Sequence, residues 1–266
     1  MYDRFKRRID YLRISVTDRC NLRCAYCMPT DGGRRADRKD ILTFEEIAAF
    51  TTRAAELGVV KVRLTGGEPL LRRGIAELVR MLAEVPGVRD LAMTTNAILL
   101  PRHAAGLRRA GLRRVNVSLD TVDPARYRAL TRGGELARVL RGIAAAQEAG
   151  FSPIKINCVV KTGPEEPDAR QVGRFCLERG LEARFIPEMD IAAGRFGVVL
   201  GGSGGDCRRC HRLRLTSDGY LKPCLFSDVA FAVRGADAAE VLRRAVAAKP
   251  RCGTASRAHG FYSIGG

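Results

Sequence analysis

The sequence predicts an α/β fold in which six strand–helix units form a partial barrel, followed by a cysteine-bearing β-hairpin extension. Three observations predict it. Short apolar runs rich in β-branched residues alternate with amphipathic segments through the first two-thirds of the chain. Helices of this length are the connections that parallel strands need. Polar and glycine-containing motifs follow the strand-like runs, at the edge where parallel sheets bind their ligands.

The elements follow one another in a regular order. The predicted strands are YLRISV (11–16), VVKVRL (59–64), DLAMTT (90–95), RRVNVSL (113–119), PIKINCVV (153–160) and EARFIP (182–187). The clearest helix lies at 43–58, where Thr43 and Glu46 form a capping-box pattern and Gly58 marks the end. Further helical patterns lie near 73–85, 102–110, 135–149 and 168–179. Six units are fewer than the eight of a closed TIM barrel, so we expect a partial, TIM-like (βα)6 barrel.

The alternating pattern ends near Ala192, which predicts a barrel over 1–191 and a C-terminal region over 192–266. GGSGG at 201–205 has the composition of a linker, and SDG at 217–219 marks a hairpin turn between RLRLT and YLKPCLF. A helical piece follows near 237–247. We see neither a secretory signal nor an apolar run of membrane-spanning length, so we expect a soluble cytoplasmic protein without a membrane partner.

The chain carries a formal net charge of +17, which raises the question of a nucleic-acid partner. Most of the basic residues are arginines, and they are spread along the helical segments rather than gathered in one tract. This distribution is typical of a solvated basic surface. The other interpretation is a pocket for a polyanionic small molecule, because the guanidinium group matches phosphate geometry. We therefore expect no nucleic-acid partner.

Six of the nine cysteines form two triads. We expect free thiols rather than disulfides, because we see no secretory signal and the cytosol keeps thiols reduced. The first triad has C-x3-C-x2-C spacing and the second C-x2-C-x13-C spacing; their members are Cys20, Cys24 and Cys27, and Cys207, Cys210 and Cys224. Three interpretations are open: a four-iron cluster with one iron free of protein ligands, a zinc site, or ordinary thiols. Structural zinc needs a fourth ligand, and His211 and Cys252 are the only candidates near the second triad. The spacing therefore favours clusters.

Informative residues fall at the ends of the predicted strands. The first cysteine triad follows the first strand, and GGEP (66–69) follows the second. TTN (94–96), SLD (118–120) and EMD (188–190) end the third, fourth and sixth. The carboxyl ends of parallel strands meet at one edge, so these residues predict one composite active site.

The first triad, with Tyr26 just before its third cysteine, resembles the signature of the radical S-adenosylmethionine (radical SAM) superfamily. GGEP resembles the next motif of that superfamily. The resemblance implies that the triad holds a [4Fe-4S] cluster whose open iron is chelated by the amino and carboxylate groups of SAM. It also implies that an electron from a low-potential donor breaks a carbon–sulfur bond of SAM and releases a 5′-deoxyadenosyl radical.

The second triad, the RLRL pair, the SDG turn and the terminal double glycine together resemble the MoaA family, the GTP 3′,8-cyclases of molybdenum cofactor biosynthesis. YLRISVTDRCNLRCAYCMP and VRLTGGEPLLR resemble the same family, so the resemblance covers most of the chain. It implies that the radical abstracts the 3′ hydrogen of GTP and that the ribosyl radical attacks C8 of the guanine. A second [4Fe-4S] cluster would bind the purine through its open iron.

The resemblance also implies roles for individual residues. SAM would be contacted by Tyr26, Gly66, Gly67, Glu68, Ser118 and Met189. The nucleotide would be held by Arg13, Lys61, Arg63, Thr94, Lys155, Arg184, Arg212 and Arg214. Arg212 and Arg214, with the tail residues Gly265 and Gly266, are the expected catalytic group. Independently of the family, the period of a strand places Lys61 and Arg63 on one face, and Arg212 and Arg214 on one face.

The segment between Met189 and Cys207 is shorter than in the family, so part of the usual cover of the barrel opening is missing. Three hypotheses follow: a GTP 3′,8-cyclase, a paralogue acting on another nucleotide, natural product or peptide, and a basic nucleic-acid-binding protein with zinc knuckles. GTP as small-molecule partner is the leading expectation, and a homodimer is the candidate assembly.

Overall fold

The computed structural model describes residues 1–29, 35–257 and 261–264. Its core is an open sheet of nine strands in the order β6-β5-β4-β3-β2-β1-β7-β8-β9. The strands are β1 (Tyr11–Ser15), β2 (Lys61–Thr65), β3 (Asp90–Thr95), β4 (Arg114–Ser118), β5 (Lys155–Val160), β6 (Glu182–Pro187), β7 (Arg212–Leu215), β8 (Tyr220–Lys222) and β9 (Phe231–Ala232). All six predicted strands are therefore present.

Neighbouring strands from β1 to β6 pair in parallel, as the alternation of strands and helices predicts. Helices connect them: α1 (Phe44–Glu56), α2 (Ile75–Ala83), α3 (Leu100–Arg109), α4 (Pro124–Thr131), α5 (Leu136–Glu148), α6 (Pro167–Glu178), then α7 (Ala238–Ala247) and α8 (Phe261–Ile264) after the hairpin. The α/β class is confirmed, and the open order of parallel strands is consistent with a partial barrel. No helix in the described ranges is long and apolar enough to cross a membrane.

Helix α1 shows how local sequence sets an element. Thr43 accepts a hydrogen bond from the backbone N–H of Glu46, and the Glu46 carboxylate accepts one from the N–H of Thr43. This capping box satisfies two donors that the first turn leaves without partners. The buried residues Ile47, Phe50, Thr51 and Ala54 then face the core.

The C-terminal part of the chain continues the barrel sheet. β7 pairs in parallel with β1, so that Arg214 lies opposite Arg13. β8 then pairs antiparallel with β7, which confirms the predicted hairpin across Ser217–Gly219. The boundary predicted near Ala192 thus divides one continuous sheet.

The shortened segment after β6 runs back along that strand. Phe185 and Leu200 exchange two backbone hydrogen bonds of 3.0 Å in an antiparallel bridge. Gly201 follows with a φ of 74°, and a side chain there would meet the carbonyl oxygen of Ala183 at 2.6 Å. The glycine-rich stretch therefore turns the chain close against the open edge of β6 rather than forming a free linker.

The two faces of the sheet differ in polarity. Leu12, Ile14, Val62 and Leu64 are buried against the helices. The alternate positions, which face the inside of the curved sheet, carry charged and polar side chains such as Arg13 and Arg63. These cations and the polar groups beside them define the candidate site.

Candidate active site

The first cysteine triad lies in the loop that follows β1. Cys20, Cys24 and Cys27 are all half-buried and unpaired. The backbone N–H of Leu22 lies 3.4 Å from Cys20 Sγ, and Asn96 Nδ2 lies 3.9 Å from the same sulfur. Donors of this kind stabilise a metal-bound thiolate sulfur.

Burial, with repulsion from Asp120 and the other two thiols, raises the pKa of the Cys24 thiol to about 12. Burial, with repulsion from Cys20, also raises the pKa of Cys27 to about 12. Three thiols held this close cannot all ionise without a positive partner. An iron–sulfur cluster supplies that partner, so the triad fits one.

The GGEP motif docks directly onto the cysteine loop. The N–H of Gly67 donates to the carbonyl oxygen of Thr17, and the N–H of Glu68 to that of Arg19, both at 2.7 Å. A Cβ on Gly66 would lie 2.4 Å from the Thr17 oxygen, and one on Gly67 would lie 2.3 Å from the Arg19 oxygen. Both positions therefore require glycine, because no side chain fits between the two loops.

Glu68 points into the protein from this motif. One carboxylate oxygen accepts from Leu70 N–H at 3.0 Å and Thr95 Oγ1 at 2.7 Å, and the other accepts from Asn96 N–H at 2.7 Å. The residue is 1 % exposed, and burial raises the pKa of its carboxyl to about 7. Its carboxylate thus joins the ends of β2 and β3, and only the backbone of the motif is left to face a cofactor.

Tyr26 is fixed by a hydrogen bond of 2.6 Å from its hydroxyl to Asp120 Oδ2. It lines a cavity of about 1010 Å³ together with Cys27 and Met189. Lys161 and Arg195 also border this space. Glu188 and Asp190 line it as well, so the cavity beside the first triad offers carboxylates to a cationic group and apolar surface to a ring.

The inside of the sheet carries cations in register on neighbouring strands. Arg13 lies opposite Arg63 on one side and Arg214 on the other. Two residues earlier on β1, on the same face of the sheet, Tyr11 lies opposite Lys61 and Arg212. The guanidinium carbons of Arg63 and Arg212 each lie 5.7 Å from the centre of the Tyr11 ring.

Several buried polar atoms in this row have no hydrogen-bond partner among the described residues. They are Nε of Arg63, Nε of Arg184, Oγ1 of Thr94 and both side-chain polar atoms of Asn116. Thr94 and Asn116 lie opposite each other on β3 and β4. Buried polar atoms normally have partners, and a cluster of exceptions indicates that a bound group supplies them.

The electrostatics of the row point the same way. Burial lowers the pKa of Arg214 to about 10, with repulsion from Arg212 adding to the effect. Burial also lowers the pKa of Arg13, helped by repulsion from Arg214 and Arg63. Guanidinium groups match phosphate geometry, so this interior is a candidate site for a phosphorylated ligand.

Lys155 reaches this interior from β5, where its Nζ lies 2.5 Å from Glu182 Oε2. Ser118 ends β4 opposite Asn157. Arg212 Nη2 donates to the carbonyl oxygen of Ser203 at 2.9 Å, so the shortened segment borders the site. The structure therefore brings the predicted nucleotide-binding residues to one face, while Gly265 and Gly266 lie outside the described residues.

The second triad lies at the opposite end of the strands from the first. Cys207 and Cys210 precede β7, and Cys224 follows β8, whose direction is reversed. The first triad follows the carboxyl end of β1, which is parallel to β7. A five-residue strand spans roughly 16 Å, so the two triads face each other across the cationic interior.

Lys249 is a buried lysine beside the second triad that sequence reasoning missed. It is 1 % exposed, and its Nζ donates to the carbonyl oxygens of Arg212 and Pro223 at 2.7 Å. Burial raises the pKa of the Cys210 thiol, but Lys249, the N–H of Arg212 and nearby guanidinium groups outweigh it, so the net shift is downward. The only sequence signal for Lys249 is that lysine is rare in this arginine-rich chain.

Within the described ranges, no group of three or more His, Cys, Asp or Glu side chains is placed to hold a single metal ion. Structural zinc needs four ligands converging on one point. A [4Fe-4S] cluster instead takes one thiolate on each iron.

Residues 14–176 match the family model of the radical SAM superfamily. A GTP 3′,8-cyclase of Geobacter sulfurreducens is 40% identical over 324 aligned positions, which cover 100% of this chain and 99% of that protein. A GTP 3′,8-cyclase of Alkaliphilus oremlandii is 39% identical, with 94% and 93% covered. An alignment of 324 positions exceeds the 266 residues of this chain, so the Geobacter protein has residues that this chain lacks.

Solved structures share the fold at low sequence identity. Native anSMEcpe with bound AdoMet superposes with a TM-score of 0.65 at 14% identity, covering 91% of this chain and 81% of that one. Streptococcus suis SuiB bound to S-adenosylmethionine gives a TM-score of 0.58 at 21% identity, covering 69% and 42%.

Proposed function

This chain belongs to the radical SAM superfamily and, within it, to the GTP 3′,8-cyclase family, and from that premise we propose how its residues carry out that reaction. The substrate is GTP, the product is (8S)-3′,8-cyclo-7,8-dihydroguanosine 5′-triphosphate, and the pathway is molybdenum cofactor biosynthesis. The observation that carries the proposal is the buried row of cations and unpartnered polar atoms between two cysteine triads. This is a nucleotide triphosphate site placed between two cofactor sites.

At one edge, Cys20, Cys24 and Cys27 hold the first cluster. Bound there with SAM, the cluster supplies the carbon radical with which the reaction begins. We assign Tyr26, Met189 and the backbone of Gly66 and Gly67 to SAM, because they border the cavity or the cysteine loop. Ser118, at the end of β4, is assigned to SAM on the family resemblance alone. Glu68 acts by positioning, since its carboxylate is consumed by internal hydrogen bonds.

The triphosphate is held by the cations of the interior. Arg13, Arg63 and Arg184 present guanidinium groups in a buried space, where charge-assisted hydrogen bonds to phosphate are strong. Lys61 and Lys155 add charge from β2 and β5, and Thr94 Oγ1 offers a hydroxyl. Excluding water from this space also protects a radical from side reactions.

At the other edge, Cys207, Cys210 and Cys224 hold the second cluster, and we assign the purine to its open iron. Arg212 and Arg214 project from β7 between this triad and the interior, which suits them to orient the base and ribose. Gly265 and Gly266 are proposed to reach into the same space on the basis of the family resemblance alone.

A second candidate is a two-cluster enzyme that acts on a different nucleotide. The family resemblance places residues missing from this chain between Met189 and Cys207, a segment that borders Arg212, and this favours the second candidate. A shorter segment at 190–206 would change which base fits while leaving the phosphate contacts in place. This segment is therefore the feature that separates the two candidates.

The deciding experiment uses protein reconstituted and reduced under anaerobic conditions, with SAM and one of GTP, ATP, ITP or CTP. We expect about eight irons per chain, and GTP alone to be consumed while raising 5′-deoxyadenosine formation. Consumption of another nucleotide in its place would favour the second candidate. Zinc without iron would contradict both. The Cys224→Ser variant is the matched control: SAM cleavage is expected to survive while GTP turnover collapses.

The remaining partners are proposals of the same kind. A reductant of low potential must deliver the electron that starts each turnover. Because thiol ligands must stay reduced, we propose a cytoplasmic location. We propose a homodimer as the assembly, to be checked by sedimentation equilibrium, and no nucleic-acid or membrane partner.

A further inference from the structure

Cys252 is a fourth thiol at the second triad. Its Sγ lies 3.4 Å from Cys207 Sγ. The next residue, Gly253, packs against the same group, since a Cβ on it would lie 3.0 Å from Cys224 Sγ. The segment around residue 252 therefore touches two of the three cysteines assigned to the second cluster.

This placement is held by a buried clamp rather than by chance surface contact. Arg7 is 8 % exposed and is fixed by Asp3, whose Oδ2 accepts from Arg7 Nε at 2.6 Å. The same guanidinium donates to the carbonyl oxygen of Cys207 at 2.6 Å, and to those of Pro250 at 2.6 Å and Arg251 at 3.2 Å. One arginine thus ties together the two backbone segments that carry Cys207 and Cys252.

The other side of the segment is also anchored. The N–H of Thr254 donates to the carbonyl oxygen of Phe226 at 3.0 Å, two residues beyond Cys224. Cys252 itself is exposed, so its side chain can change rotamer without disturbing the core. On a [4Fe-4S] cluster the two thiolates would bind different irons and lie farther apart than 3.4 Å, and a rotamer change at Cys252 gives that separation while its backbone stays anchored. An anchored backbone with a side chain that can change rotamer suits a displaceable ligand.

We propose that Cys252 supplies a fourth thiolate to the cluster held by Cys207, Cys210 and Cys224 while no nucleotide is bound. This rests on the proposed function, because it requires that the second triad hold a cluster. Binding releases the thiol proton to solvent, and displacement takes one proton back, so no oxidant or reductant is needed. Four cysteine thiolates are the common complement of a [4Fe-4S] cluster.

The test measures the reactivity of Cys252 rather than turnover. The variant Cys20→Ser/Cys24→Ser/Cys27→Ser leaves the second triad as the only cluster site, with about four irons per chain expected after anaerobic loading. Cluster-free and loaded protein are treated with iodoacetamide, and each cysteine is quantified by peptide mass spectrometry. We expect Cys252 to be alkylated quickly without the cluster and at least 10-fold more slowly with it. Equal rates in the two states would overturn the proposal.

A second measurement separates ligation from shielding. In the same background, Cys252→Ser is expected to change the electron paramagnetic resonance spectrum of the reduced cluster, whereas Cys176→Ser, at a buried thiol in α6, is the matched control and should not. An unchanged spectrum in the Cys252→Ser variant would overturn the proposal even if alkylation is slowed.

A third arm distinguishes failure of this proposal from failure of the proposed function. Excess GTP is expected to restore rapid alkylation of Cys252, because the purine must replace the thiolate to reach the iron. If Cys252 stays protected with GTP bound, ligation by Cys252 is supported and the assignment of the purine to that iron is wrong. If the triple variant binds no iron, the second cluster of the proposed function is absent, and ligation by Cys252 is overturned as well.

Discussion

At the scale of single residues, the molecule places positive charge where a stable core would place hydrocarbon. Arg13 and Arg63 are buried and Arg214 is half-buried, side by side on three neighbouring strands. Burying like charges costs stability, and truncating such groups can stabilise a fold. The arrangement is explained by a ligand that brings several negative charges, as a nucleotide triphosphate does.

Arg63→Met tests this explanation. Loss of a charged hydrogen bond to phosphate is expected to weaken GTP binding about 10- to 100-fold. The melting temperature of the nucleotide-free protein should not fall, because repulsion on Arg13 and Arg184 is relieved. Equilibrium dialysis and thermal unfolding measure the two quantities. Arg113→Met, at an exposed position just before β4, is the control that should leave GTP binding intact; unchanged binding in the Arg63 variant would contradict the account.

Glu68 predicts a pH dependence of stability. Burial raises the pKa of its carboxyl to about 7, so the folded state holds a proton that the unfolded state releases near its usual value of 4.5. The contribution to the free energy of unfolding is fully present below pH 4.5 and is lost as pH rises through about 7, a change of about 3 kcal/mol.

Glu68→Gln should remove this loss. The difference in unfolding free energy between wild type and variant, measured by urea denaturation at pH 5, 6, 7 and 8, is expected to move in the variant's favour as pH rises. At pH 5 the wild type should be the more stable, since the amide N–H of glutamine meets a donor among Leu70, Thr95 and Asn96. A difference that is constant across this range would refute the assignment.

The residues that sequence reasoning could predict are those that act within a strand or a short motif. Both cysteine triads, and the pair Lys61 and Arg63, follow from spacing alone. Arg7 and Lys249 could not be predicted, because their contacts join residues far apart in the chain, up to 244 positions for Arg7. Cys252 is one of the two candidate fourth ligands that the sequence offers, but its contact with Cys207 is not visible in the sequence. Only the folded chain shows that they surround the second triad.

At the scale of elements, the working unit is the pair of loops after β1 and β2. Gly66 and Gly67 let the second loop lie directly on the first, backbone against backbone. The cysteine loop is therefore held in place by its neighbour as well as by its own turns. A substitution in the loop after β2 should therefore reduce the iron bound by the loop after β1.

Gly67→Ala places a Cβ 2.3 Å from the carbonyl oxygen of Arg19 and 3.0 Å from the backbone N of Cys20. We expect the reconstituted variant to hold about four irons rather than about eight, because the first triad is displaced and the second is untouched. Iron analysis after anaerobic reconstitution measures this. Gly106→Ala, in α3 with nothing within 4 Å of the new methyl group, should retain all its iron and gain about 0.5–1 kcal/mol of stability; equal iron in the two variants would contradict the docking role.

Element prediction worked where the periodic pattern was long. The capping box and the glycine stop located α1, and apolar runs located β1 to β6. α4 was missed because it has eight residues, with Tyr127 and Thr131 as its only buried positions, although Asp123 and Pro124 mark its start. The pairing of β7 with β1 was missed because nothing local specifies a partner about 200 residues away.

At the scale of the whole molecule, the sheet separates two cofactor sites and joins them through one interior. The first triad lies beyond the carboxyl end of β1, and the second precedes the amino end of β7 beside it. A nucleotide in the cationic interior would have its base near one site and its ribose toward the other. The boundary predicted near Ala192 is therefore a change of pattern within one sheet, because β7 after it pairs with β1 before it.

The most direct test of the account is the fate of one hydrogen atom. Reduced, reconstituted enzyme is incubated with SAM and GTP carrying deuterium at the ribose 3′ carbon, and the 5′-deoxyadenosine formed is weighed by mass spectrometry. We predict that 5′-deoxyadenosine accumulates with GTP and carries one deuterium from the ribose 3′ carbon. Unlabelled 5′-deoxyadenosine, or an amount no greater than without nucleotide, would contradict it.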